Sequence, residues 1–176
     1  MKIAIAGYGV VGRGTHELLL MNRDKIAARA GEEIEVKYVL DPKPLEGTPA
    51  EQLKASGIEE ILADPEVKLL VEAIGGVGPA YEYVKAALES GRSVVTPNKQ
   101  LVAEKGAELL AIAREKNAGF LFEASVAGGT PVLHPISQCL WANDLDLAAG
   151  ILNGTTNYIL TKMVQEGAGF EETLRE

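Results

Sequence analysis

The spacing of apolar residues changes repeatedly along the chain, and the changes divide it into alternating strands and helices. Ile3-Ala4-Ile5-Ala6 is a short continuous apolar run, the pattern of a buried strand. From Val10 to about Ala30 the apolar positions recur at helical spacing and stop at Gly31, a suitable C-cap. Ile34 to Leu40 alternates and predicts a second strand ending at Asp41. Pro42, Pro44 and Pro49 break the next stretch, where Pro49 to Ala55 and Ile58 to Ala63 read as short helical pieces. Val67 to Glu72 predicts a buried strand running into Gly75-Gly76, followed by a helix from Pro79 to Ser90 that Gly91 ends. Ser93-Val94-Val95-Thr96 predicts another strand, Asn98 caps a helix from Lys99 to about Lys116, and Gly119 to Phe122 closes the series. Such alternation predicts an α/β fold, a doubly wound parallel sheet of Rossmann type covered by helices.

After Glu123 the pattern shifts. Ala127-Gly128-Gly129-Thr130-Pro131 predicts a loop and Val132 to Trp141 a helix despite Pro135. Leu145 to Leu152 then predicts a strand, Thr155 to Gln165 a helix, and Phe170 to Glu176 the start of another. Residues 1–130 are expected to form one domain and 131–176 the beginning of a second, incomplete one.

Between the first strand and first helix stands Gly7-Tyr8-Gly9-Val10-Val11-Gly12. Behind a strand and opening a helix, G-x-G-x-x-G describes a dinucleotide-binding turn with a mechanical reason for each glycine. Gly7 permits the tight turn, Gly9 lets backbone approach a pyrophosphate, and Gly12 lets helix and strand pack closely. The free N–H groups of Val10, Val11 and Gly12 would receive phosphate oxygens. Asp41, at the end of the second strand, is placed to bind the ribose hydroxyls of an adenosine, which favours NAD; it is equally a turn-forming Asp before Pro42. Lys43 could offset that charge, leaving NADP open. Gly75 and Gly76 follow a strand end and either approach the cofactor or merely connect. In Thr96-Pro97-Asn98-Lys99, the lysine occupies the first helical turn, where the helix dipole disfavours a cation. An anionic substrate or phosphate would compensate it and use it as a general acid; the alternative is a solvated surface lysine.

The chain of 176 residues is 47% hydrophobic and carries a net charge of −8, which disfavours nucleic acid and anionic membrane surfaces as partners. A single cysteine, Cys139, excludes an intrachain disulfide, and its apolar neighbours predict a buried structural thiol. No secretory pattern opens the sequence, so a cytoplasmic location is expected. His16 and His134 are too isolated to form a triad or zinc site. The run Glu123 to Thr130 offers one carboxylate and many carbonyls, suiting a monovalent ion or none. Asn153-Gly154-Thr155-Thr156-Asn157, dense in amides and hydroxyls, suits a small polar ligand or simple helix capping by Thr155.

Taken in order, Gly7 to Gly12, Val95 to Lys99, Phe122 to Pro131 and Gly150 to Ile159 resemble the homoserine dehydrogenases. The resemblance implies interconversion of L-homoserine and L-aspartate 4-semialdehyde with NAD or NADP, on the route to threonine and methionine. It implies that Lys99 is catalytic, and that Gly7, Gly9, Val10, Val11, Gly12, Asp41, Gly75, Gly76, Thr96, Pro97 and Lys99 bind cofactor. By the same resemblance Gly154 and Thr155 bind substrate. Carbonyls at Glu123, Val126, Gly128 and Thr130 would hold Na+ or K+. Many members carry Arg before the Asp of the second strand, where this chain has Leu40, which favours NAD. Members continue into an α+β catalytic and dimerisation domain with further carboxylates and a second lysine. The expectation is therefore a homodimer for the full-length protein, and for this chain alone nucleotide binding with little or no turnover. The rival readings are another semialdehyde or amino-acid dehydrogenase, and a nucleotide-sensing module without catalysis.

Overall fold

The computed structural model describes residues 1–150 and 153–176 and divides into two compact units, 1–125 and 126–176. In the first unit, β1 (Lys2–Ala6), β2 (Glu35–Leu40), β3 (Val67–Glu72), β4 (Ser93–Val95) and β5 (Phe120–Leu121) form one sheet in the order β2-β1-β3-β4-β5. Every pairing is parallel. Outside β2 a single parallel bridge joins Val39 to Lys54, and the Ala55 N–H donates to the Val39 carbonyl at 2.9 Å. That bridge stands where the order 3-2-1-4-5-6 of dinucleotide-binding sheets has its third strand. The sheet is that arrangement with the outermost strand reduced to one contact.

Alternation along β1 sends its side chains to two cores. Ile3 and Ile5 pack with Tyr8, Val36, Val39 and Val71, against Leu19 of helix α1 (Val10–Met21). Ala4 and Ala6 face the larger core on the other side of the sheet. There α3 (Ile58–Ala63), α4 (Gly78–Glu89) and α5 (Lys99–Glu115) contribute Ile61, Val84, Leu88, Leu101 and Leu109. The small alanines on that face let helices approach the strand, while the isoleucines fill the α1 side.

Three expectations change in this unit. The predicted helix 10–30 is two: Asn22 takes φ −117° and ψ 25°, its side chain donates to the Leu18 carbonyl at 3.3 Å, and α2 (Arg23–Ala30) starts afresh. An asparagine that bonds its own backbone competes with the helical ladder. Pro49–Ala55 contributes only a 3-10 turn at Glu51–Leu53. The second strand begins at Glu35 rather than Ile34.

The second unit departs further. The helix predicted over 132–141 forms in shortened and widened shape: Leu133 and His134 are α-helical and run into a π-helical turn at Pro135–Cys139, closed by the Leu140 N–H on the Pro135 carbonyl at 3.1 Å. Proline supplies no N–H to an α ladder. Cys139 is exposed on that turn, not buried: Pro135 and Ile136 are half-buried, and Ser137, Gln138 and Cys139 face solvent. Residues 145–150 form no strand, and 151–152, the end of that predicted strand, lie outside the described residues. A strand needs a neighbour for its backbone groups, and the described residues of this unit provide none. Helices α6 (Gly154–Gln165) and α7 (Phe170–Arg175) do form, and Glu176 joins them by accepting from Tyr158 and Lys162 at 2.7 and 2.6 Å.

A Cβ on Gly12 would stand 1.9 Å from the Gly7 carbonyl oxygen, whereas on Gly14, two residues on and so on the opposite side of the same helix, it would meet nothing within 4 Å. Gly12→Ala is therefore expected to cost about 3 kcal/mol or more in urea unfolding. Gly14→Ala should gain about 0.5–1 kcal/mol by helix propensity.

Candidate dinucleotide site

The carboxyl ends of β1 and β3 lie side by side, at the point where the chain order of the sheet reverses and ligands enter such folds. Gly7 leaves β1 at φ 92°, and a Cβ there would meet the Ala73 carbonyl oxygen at 2.5 Å. The turns after β1 and β3 therefore touch backbone to backbone. Ala73 is further held by its N–H on the Ala6 carbonyl at 2.7 Å. Gly9 faces open space and caps α1 without any side-chain hydrogen bond. The first turn of α1 carries no acidic residue, and Val10 and Val11 are 93% and 52% exposed. An uncapped helix start beside a glycine with room above it fits a pyrophosphate.

Asp41 takes the turn-forming role that its place before Pro42 suggests. One carboxylate oxygen accepts the Tyr8 N–H at 2.6 Å and the other the Lys43 N–H at 2.8 Å, so the side chain ties the glycine turn to the end of β2. Two ionised oxygens offer about four lone-pair sites, so acceptor capacity remains for ribose hydroxyls. Beneath the turn, Tyr8 and His16 are buried and share a hydrogen bond of 2.8 Å between hydroxyl and Nδ1. Burial holds His16 below its usual pKa of 6.5, partly opposed by the Glu17 carboxylate. His16 is thus a structural support of this turn.

Past β3 and β4 a second cluster forms that the sequence did not disclose. Glu72, fully buried, accepts the N–H groups of Ile74 at 2.7 Å and Gly75 at 3.2 Å on Oε1. Its Oε2 accepts the Thr96 hydroxyl at 2.5 Å. Thr96 Oγ1 accepts the Asn98 N–H at 3.0 Å, and Asn98 donates from Nδ2 to the Gly76 carbonyl at 2.7 Å while Oδ1 caps α5 through the Leu101 N–H at 3.1 Å. Gly75 and Gly76 both take left-handed backbone, φ 84° and 68°, and stay exposed. Pro97 links the strand end to that cap, and Lys99 projects, exposed, as the first residue of α5. The one visible signal for Glu72 was an acid closing the apolar run Leu69-Leu70-Val71.

The remaining predicted positions divide between the units. Glu123 opens a 3-10 turn (Glu123–Ser125) in the first, whereas Val126, Gly128 and Thr130 belong to the second. Ala127 and Gly128 there have φ 57° and 58°, and the Thr130 N–H closes on the Ala127 carbonyl at 3.1 Å. Gly154 and Thr155 begin α6, exposed, but the capping side chain is Asn153, which accepts the Thr156 N–H at 2.8 Å; Thr155 is not the cap. Asn153 sits two residues before Thr155, with the extended backbone that a cap requires. Among the described residues no group of three or more His, Cys, Asp or Glu side chains is placed to hold a metal, and no helix is long and apolar enough to cross a membrane.

A parallel sheet of this order, with a close-packed glycine turn, a carboxylate ending β2 and an uncapped helix start at the reversal point, defines a dinucleotide-binding α/β domain. The chain belongs to the homoserine dehydrogenase family: residues 7–123 match the model of its NAD binding domain and residues 131–176 that of homoserine dehydrogenase itself. It is 44% identical to a homoserine dehydrogenase of Pseudomonas aeruginosa, over all of this chain and 41% of that protein. Against the Bacillus subtilis homoserine dehydrogenase identity is 38%, again over all of this chain and 41% of the relative. The crystal structure of a homoserine dehydrogenase from Thiobacillus denitrificans superposes with a TM-score of 0.88 at 39% identity, covering 99% of this chain and 41% of that one. A hyperthermophilic archaeal homoserine dehydrogenase, solved in complex with NADPH, gives 0.77 at 26% identity, over 99% of this chain and 60% of that one. The chain thus spans about two-fifths of the curated relatives it matches.

Because burial lowers the His16 pKa, the unfolded chain takes up this proton first as pH falls. Stability from the neutral imidazole is complete above pH 6.5 and is lost as pH drops through and below it. Urea midpoints measured between pH 8 and pH 5 (about 1.5 units either side of the usual histidine value) should fall with acid, and less steeply in His16→Asn.

Proposed function

We propose that the chain is the dinucleotide-binding part and the start of the substrate domain of an NAD(P)-dependent oxidoreductase interconverting L-homoserine and L-aspartate 4-semialdehyde, in the synthesis of threonine and methionine. The observation that carries this reading is the consecutive match of two homoserine dehydrogenase family models along one chain. Dinucleotide binding is assigned to these 176 residues, which cover 41% of the Pseudomonas aeruginosa relative, and turnover to a full-length enzyme of that kind. A homodimer is part of the same reading and rests on the resemblance, and a cytoplasmic location rests on the sequence opening without a secretory pattern.

Gly7, Gly9 and Gly12 give the pyrophosphate its space, the N–H groups of Val10 and Val11 its donors, and Asp41 its ribose acceptor. Asp41 with Leu40 before it, and no arginine there, favours NAD over NADP. Gly75, Gly76, Thr96 and Pro97 border the other half of the crevice. The bound nicotinamide supplies or takes the hydride. Lys99, exposed at the positive end of α5, would be held by the negative charge that builds on the aldehyde oxygen and would give that oxygen a proton. Gly154 and Thr155 would bind the polar end of homoserine at the start of α6. A monovalent cation, Na+ or K+, suits the backbone carbonyls of Glu123, Val126, Gly128 and Thr130, the donors that the resemblance names.

Calorimetric titration of the chain tests the cofactor assignment. NAD should bind more tightly than NADP, and Asp41→Asn, which keeps an acceptor but removes the charge, should narrow that preference by ~tenfold. For the reaction, the protein expressed whole should reduce NAD(P) with saturation by homoserine, and Lys99→Ala should lower kcat by roughly 10²–10⁴. Saturation by a different amino-alcohol and none by homoserine would reject the substrate.

A further inference from the structure

The dinucleotide reading assigns no part to Glu72, the fully buried carboxylate at the end of β3. Burying a carboxylate is costly unless its acceptor sites are filled, and an apolar residue would serve the core equally well. No ion pair to Glu72 exists among the described residues. Its partners are all hydrogen-bond donors, and all lie in the two segments that border one half of the crevice. Oε1 takes the Ile74 and Gly75 N–H groups, at 2.7 and 3.2 Å, and Asn98 Nδ2 at 3.5 Å, and Oε2 takes the Thr96 hydroxyl at 2.5 Å. Asn98 closes the loop by donating to the Gly76 carbonyl at 2.7 Å while capping the helix that begins with Lys99. We infer that Glu72 is a positioning residue for the nicotinamide half of the dinucleotide, clamping the Gly75–Gly76 turn to the Thr96–Lys99 segment.

The inference rests on the dinucleotide reading and goes beyond it. In a sheet of this order the adenosine half of a dinucleotide lies over the strands on the β1–β2 side, and the other half over β3 and its outer neighbours. The adenosine half has its own supports, the Gly7–Gly12 turn and Asp41, and none of them bonds to Glu72. Gly75 and Gly76 are exposed and left-handed, a conformation free glycines leave readily, so the Glu72 and Asn98 bonds are what hold the turn in one shape. The two halves of the site are thus fixed by separate polar networks, and they should be separable in binding.

The test titrates the 176-residue chain with NADH and with ADP-ribose, which lacks the nicotinamide, in parallel with urea unfolding. Glu72→Gln keeps the shape but leaves the Thr96 hydroxyl facing an amide donor. It should weaken NADH ~tenfold, the weight of about one charge-assisted hydrogen bond, and leave ADP-ribose within about twofold. Thr96→Val, which removes only the hydroxyl, should shift the ratio the same way, and Thr96→Ser should restore it. Should Glu72→Gln not fold, the two Thr96 variants decide the matter alone. Equal losses for both ligands, or unchanged ratios in every variant, would overturn the inference, as would wild-type chain that binds NADH no better than ADP-ribose. Wild-type chain that binds neither ligand would instead reject the dinucleotide reading itself.

Discussion

Gly7 and Gly12 have no room for side chains, and the geometry of the site follows from that constraint. With its Cβ position only 1.9 Å from the Gly7 carbonyl oxygen, Gly12 brings α1 directly onto the turn, and Gly7 in its turn brings the turn directly onto Ala73 after β3. Close approach at these two points sets the helix start over the sheet edge and opens the crevice between β1 and β3. Its donors are left uncapped because the residue where a capping side chain would stand is Gly9. Packing on one side and exposure on the other are two consequences of the same three glycines.

Polar ties then fix what packing leaves free. Asp41 holds the glycine turn to β2, and Glu72 holds the turn after β3 to the helix start after β4. Both carboxylates work as acceptors for backbone N–H groups, which would otherwise be unsatisfied where strands end and loops begin. They differ in burial: Asp41 is partly open to solvent and can still meet a ligand, whereas Glu72 is enclosed and can act only through what it holds.

The first unit was largely legible because its strands are continuous apolar runs and its turns carry glycine or proline, each signal confined to a few neighbouring residues. Gly7, Gly12 and Asn98 could be assigned their parts from local context alone, and the structure places Asn98 as the cap of α5. Glu72 could not, since its partner Thr96 lies 24 residues away and no local pattern links them. Asn22 was missed because a helical period persists across it although its own side chain breaks the ladder. The second unit was read less well for a different reason. Leu145 and Leu147 alternate with Asp144 and Asp146, and Cys139 precedes Leu140-Trp141, but the described residues leave all three exposed, and periodicity alone does not create a neighbour.

A crystal structure of the chain grown with NADH tests the account most directly. The predicted result has the pyrophosphate within hydrogen-bond distance of the Val10 and Val11 N–H groups, the adenosine ribose on Asp41, and the nicotinamide half beside Gly75 and Gly76. Dinucleotide bound away from the Gly7–Gly12 turn, or with its adenosine over β4 and β5, would contradict it.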